Sequence, residues 1–187
     1  MRQKNVWIRL GLSLLVLATL PLAGSVFAQG ATVVRIDPAT TTLAVNQIVT
    51  VSVKIDNVTN LFGAEVHLAF NPNVLEVIDA DQGQAGVQIS NGGMLQPDAV
   101  GQNTADNTLG TIDFGIAQIN RAGVNGSGTL AIISFKGKAP GTSPITFRGI
   151  QSSPTGANLS DVNGQSIANT TQSGSVNVGG GPTPTFT

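Results

Sequence analysis

The chain of 187 residues has no cysteine, so disulfides, thiolate metal sites and a cysteine nucleophile are all excluded. It has no tyrosine, and its only tryptophan is Trp7. Sugar-binding surfaces usually stack pyranose rings on exposed Trp or Tyr, and that platform is missing. Histidine is equally scarce: His67 stands alone, so any His-based catalytic triad would have to use it. Charge is sparse at 10% of residues. Setting aside Arg2, Lys4 and Arg9, six basic residues face ten acidic ones, a net charge of −4. Such a surface lacks the basic footprint that phosphate binding needs, and nucleic acid is not an expected partner.

Only one stretch is strongly apolar, and it lies at the start. Arg2, Lys4 and Arg9 precede LGLSLLVLATLPLAG, and Val26-Phe27-Ala28 then offers small residues at a cleavage position. Residues 1–28 read as a secretory signal peptide, which predicts an extracellular or cell-surface protein. A retained anchor is the competing reading, disfavoured by Pro21 and the V-F-A site. After cleavage no stretch is long and apolar enough to span a bilayer as a helix.

The remainder is rich in β signals: short runs of Val, Ile, Thr and Phe divided by Gly, Asn, Asp and Pro. From Ile48 to Val58, Val51, Val53 and Ile55 alternate with Thr50, Ser52, Lys54 and Asp56. From Leu61 to Phe70, Val66, Leu68 and Phe70 point inward while Glu65, His67 and Ala69 point outward. From Thr111 to Ala117, Ile112, Phe114 and Ile116 are inward against Asp113, Gly115 and Ala117. Period-two alternation marks sheets with one buried face, and many short strands between turns predict an all-β sandwich. Further strands are expected at Ala31–Pro38, Leu75–Ile78, Gly128–Gly137, Ser143–Ile150 and Ser173–Val178. The polar segment from Gln82 to Asp106 gives little pattern beyond one short strand near Met94. Residues 180–187, GGPTPTFT, read as a Gly/Thr/Pro linker. The expected folded unit is therefore residues 29–179.

Candidate chemistry is thin. Asp79-Ala80-Asp81-Gln82-Gly83 and Asp161-Val162-Asn163-Gly164 resemble calcium loops. An EF-hand needs Gly at position six and Glu at twelve, where these supply Gln84 and Ser90, or Ser166 and Gln172. Asx and Gly turns explain both better. No cofactor is expected, although calcium in another turn geometry stays open. Four Asn-x-Ser/Thr patterns begin at Asn57, Asn125, Asn158 and Asn169, matches that arise readily in an Asn- and Thr-rich chain. Ten scattered acids single out no pair for glycoside hydrolysis, so no catalytic residue is assigned and an enzyme is not expected.

One ordered set of segments is more specific. Gly63-Ala-Glu-Val-His-Leu-Ala-Phe-Asn-Pro-Asn-Val-Leu-Glu-Val-Ile78 is followed by Gly128-Thr-Leu-Ala-Ile-Ile133, Ala139-Pro140-Gly141, Ile145-Thr146-Phe147 and Gly174-Ser-Val-Asn-Val-Gly179. In this order the chain resembles cohesin domains over about residues 31–179. The resemblance implies a nine-stranded jelly-roll β-sandwich without catalytic activity. It also implies a dockerin-type partner, as in cellulosome-type assemblies of polysaccharide-degrading enzymes. By motif position the partner-binding face would hold Gly63, Glu65, His67, Gly115, Ala117 and Gln118, with Leu159 and Asp161 beside it. The parity reading independently turns Glu65, His67, Gly115 and Ala117 outward. The alternative is a carbohydrate-binding or adhesive sandwich, against which the missing Trp and Tyr count.

Overall fold

Alternating apolar residues need a second surface to bury against, and the structure supplies one by folding a single long strand across two layers. The structure is a computed structural model describing residues 30–179. The signal peptide and linker expectations lie outside the described residues. Strand β3 (Ile48–Ala69) runs for 22 residues. Two asparagines bend it, with Asn57 at φ 56° and Asn60 at φ 58°. Asn accepts this left-handed backbone more readily than most residues. The bend is tied down from strand β8 (Val124–Gly137): Asn57 N donates to Ser127 Oγ at 3.0 Å and Asn60 N to Asn125 Oδ1 at 2.8 Å. Both accepting side chains thus come from one Asn-x-Ser/Thr pattern, Asn125-Gly126-Ser127. The two expected strands, Ile48–Val58 and Leu61–Phe70, are one strand with a corner.

The first layer runs β10–β3–β7–β6. It joins the second half of β3 to β10 (Ala157–Asp161) on one side and β7 (Thr111–Ala117) on the other, with β6 (Ala99–Asp106) beyond β7. In the second layer the first half of β3 pairs with β8 and with β1 (Val33–Asp37). Strands β4 (Leu75–Val77) and β5 (Ser90–Asn91) pair with β8. Strand β2 (Thr40–Ala44) continues the run of β1 and lies parallel to β12 (Gly174–Gly179), which pairs with β9 (Gly141–Phe147). Short β11 (Thr170–Gln172) lies parallel to β1. The described residues thus form twelve strand segments where nine strands were expected. Strand β2, just past Pro38-Ala39, and β10 are among those the sequence pattern did not present.

The core lies between the layers. Val51, Val53, Ile55, Val66, Leu68, Phe70, Ile112, Phe114 and Ile116 are all buried, as their parity predicts. Phe70 from the first layer meets Phe135 from the second edge to face, with ring centroids 5.4 Å apart. Just past Phe70, the Asn71-Pro72-Asn73 corner closes on itself. Asn73 N donates to Asn71 Oδ1 at 3.0 Å, and Leu75 N to Asn71 O at 3.0 Å. Gly110, at φ 72°, is required alongside, because a Cβ there would sit 2.2 Å from Phe70 O.

The long segment before β7 contradicts the expectation of a nearly patternless loop. It contains β5 and the eight-residue β6. Two asparagine amides substitute for strand pairing where the backbone diverges. Asn103 bonds both Ile89 N (2.9 Å) and Ile89 O (2.8 Å), and Asn107 bonds Val77 N (2.7 Å) and Val77 O (2.9 Å).

Candidate functional site: a small-residue sheet face

The outer face of the first layer is built from residues that β pairing puts in rows. Ser160, Gly63, Ala117 and Ala99 form one row across β10, β3, β7 and β6. The next is Asn158, Glu65, Gly115 and Gln102, and the third brings His67, Asp113 and Thr104 into line. Small side chains in the first two rows leave an open depression of about 420 Å³, floored by Gly63, Gly101, Gly115 and Ala117 and edged by Glu65 and Asn158. The outer face of the second layer differs. There Arg35 bonds Asp56 (2.6 Å) and Asp37 (2.5 Å), and Lys54 reaches Asp37 at 3.0 Å. Those charges are already paired with one another.

Gly63, Glu65, Gly115 and Ala117 therefore lie together on this face. His67, Gln118 and Leu159 do not offer a contact surface. His67 has the outward parity but is only 2% exposed, correcting its reading as an exposed strand residue. Its ring is held between carboxylates, Nδ1 at 2.5 Å from Asp113 Oδ1 and Nε2 at 3.1 Å from Glu65 Oε1. Leu159 is fully buried because the alternation of β10 sends Ala157 and Leu159 inward. Asn158 and Ser160 take the outward places, two residues the sequence reading missed although period two would have found them. Gln118 is buried and serves as a brace. Its N donates to Phe62 O (2.9 Å), its Nε2 to Ala122 O (3.1 Å), and its Oε1 accepts from Gln96 N (3.3 Å).

Asp161 ends β10 half-buried, and its carboxylate accepts from Asn163 N and Gln165 N, each at 2.8 Å. The Gln165 amide, seconded by Asn163, holds this carboxyl below its ordinary range. The second calcium-like segment is thus an Asx turn. The first is similar, with Asp79 Oδ1 accepting from Asp81 N (3.1 Å) and Gln88 N (3.0 Å), and Asp81 Oδ1 from Gly83 N (3.0 Å).

One end of the face is rimmed by apolar side chains. Ile119 and Val162 are each more than two-fifths exposed, and each lies two residues past the row that holds Ala117 and Ser160. Asp98 fixes this corner: Arg121 Nε and Nη2 donate to it at 2.7 and 2.9 Å, and Ile119 N at 2.9 Å. The Arg121 guanidinium, followed by the Ile119 amide, lowers the Asp98 carboxyl from 3.8 to about 2. A folded-state value below the unfolded one stabilises at pH above about 4 and is lost as pH falls towards 2. Hydrogen exchange at the Ile119 amide should therefore accelerate over that acid range beyond its intrinsic rate. In Asp98→Asn the acid-dependent loss should be absent.

Comparison with known proteins places this geometry. Residues 32–178 match the Cohesin domain family. A solved type II cohesin domain from the cellulosome of Acetivibrio cellulolyticus superposes with a TM-score of 0.66 at 27% identity, covering 79% of this chain and 96% of that one. The sixth cohesin of scaffoldin B from the same organism, solved in complex with a dockerin, gives a TM-score of 0.62. Its identity is 14%, covering 80% of this chain and all of that one, a likeness of fold alone. Cell surface glycoprotein 1 of Acetivibrio thermocellus is 29% identical over 127 residues, 61% of this chain. The match spans only 6% of that relative's length. With the family matched over most of its length and the two-layer sandwich in agreement, the chain belongs to the cohesin-domain family.

Proposed function

We propose that this chain is an exported, non-catalytic docking module that holds a dockerin-type partner on the β10–β3–β7–β6 face. The observation that carries the reading is the register of small residues, Gly63 with Ala117 and Ala99, and Gly115 beside Glu65. Such a floor lets a partner helix approach the sheet backbone closely, where packing and desolvated polar contacts are strongest. Glu65 offers a negative charge at the edge of the floor, and Ile119 and Val162 offer apolar contact at its end. A related cohesin has been solved with a dockerin bound, which supports a partner of this class. Membership in complexes that degrade polysaccharide follows as the broader role. Export is supported by the character of residues 1–28, with residues 29–179 as the working module and 180–187 as a linker.

The test is calorimetric titration of the full chain with calcium-loaded dockerin modules of different types. One-to-one saturable binding to at least one type is expected. Absence of binding to every type, with retention on cellulose or chitin, would overturn the reading in favour of an adhesive sandwich.

A further inference from the structure

His67 is buried although its parity is outward, in the row it shares with Asp113 beside the small-residue floor. Its Nδ1 lies 2.5 Å from Asp113 Oδ1, and Arg148 Nη2 donates to the same oxygen at 2.6 Å. Because an ionised carboxylate only accepts, the ring proton resides on Nδ1. Nε2 is then left facing Glu65 Oε1 at 3.1 Å, buried and without an aligned hydrogen bond. In the neutral ring that contact opposes two lone pairs. Only a proton on Nε2 makes it attractive.

We infer that His67 is a positioning residue for the docking face, setting the place and effective charge of Glu65 according to whether Nε2 carries a proton. The inference rests on the docking reading for its consequence, though not for its test. With Nε2 protonated, the imidazolium bridges Asp113 and Glu65, drawing the Glu65 carboxylate down beside Gly115 and offsetting its charge. With Nε2 unprotonated, the carboxylate is repelled from the ring and faces the depression with its full charge, ready for a cation on the partner. The charged groups facing His67 among the described residues are Glu65 on its own strand, Asp113 on β7 and, through Asp113, Arg148 after β9. From the segment before β10, Gly156 presents only its carbonyl, which accepts from His67 N. On β6 the position opposite Asp113 is the uncharged Thr104.

The experiment is an NMR pH titration of the full chain, following the Glu65 side-chain carboxyl carbon and the His67 ring. Glu65 should show two steps, the upper one coinciding with the His67 titration. In Glu65→Gln the His67 midpoint should move to lower pH, since an anionic neighbour is gone. A Glu65 signal that is silent while His67 titrates, or a His67 midpoint unmoved in Glu65→Gln, overturns the inference. In His67→Gln the upper Glu65 step should vanish. If that variant fails to fold, the wild type and Glu65→Gln still decide. None of these readings needs a partner, so the docking proposal and this one can fail separately. For any dockerin that binds, affinity should rise at least about threefold as the ring loses its proton, the linkage consequence of the coupling. That rise should be flat in His67→Gln.

Discussion

Replacing Gly115 by Phe should weaken dockerin binding by at least about 100-fold, about 2.8 kcal/mol, while leaving the thermal midpoint unchanged or slightly raised. Gly115 lies mid-strand on β7, between Glu65 of β3 and Gln102 of β6. A Cβ added there would meet Glu65 Cγ at 3.6 Å and Gln102 N at 3.9 Å, ordinary contact distances. The backbone is extended, so a side chain enters without strain, and Phe favours a strand where Gly does not. The ring must then stand on the floor of the depression and hold a helix off the sheet. Calorimetry with a cognate dockerin reads the loss, and thermal unfolding checks the fold. Retained affinity would move the docking site elsewhere. This variant is cleaner than charge reversal at Glu65 and Asp161. The Asp161 carboxylate closes its own turn, and Glu65 contacts the buried His67, so Arg at either position disturbs folding as well as binding.

The second large effect concerns the join between layers. Phe70→Ala should cost about 3–5 kcal/mol, the usual range for emptying a buried Phe site. Phe70 is 6% exposed and its ring meets Phe135 at 5.4 Å, with planes at 63°. Phe70 sits at the end of the first layer and Phe135 within β8 of the second, so the pair fastens one sheet to the other. Phe135→Ala should cost a similar amount. The double variant should lose less than the sum by about 0.5–1.5 kcal/mol, the worth of an edge-to-face pair. Urea unfolding of the four proteins measures this, and a midpoint barely moved by Phe70→Ala would contradict the packing.

What could be read from the sequence was what period two encodes. The inward residues of β3 and β7 were assigned correctly because each faces one apolar layer, and that requirement is written into every second residue. His67 escaped because parity gives direction but not cover. Its ring points to the outer side, and what buries it is Glu65, Asp113 and an Arg148 that lies 81 positions away. Strand β6 escaped for the opposite reason. Its two faces are both largely exposed, with Ala105 as its only buried residue, so AVGQNTAD has no alternation to show. Leu159 was misplaced by resemblance alone. The alternation of Ala157, Asn158, Leu159 and Ser160 assigns it to the core. Gln118 escaped because its three hydrogen bonds join segments whose proximity only the fold creates.

The parallel pairing of β2 with β12 has a mechanical meaning. Ser175 to Gly179 match Thr40 to Ala44 one to one, and both strands run the same way. The chain therefore enters the module towards one end of this ribbon and leaves it at the other. Tension drawn along the polypeptide pulls the two strands past each other lengthwise, so their cross-strand bonds are loaded together rather than opened one after another. A domain threaded in this manner can transmit load between whatever is attached before β1 and after β12 without peeling from its ends, while the small-residue face on the other layer stays outside the line of force.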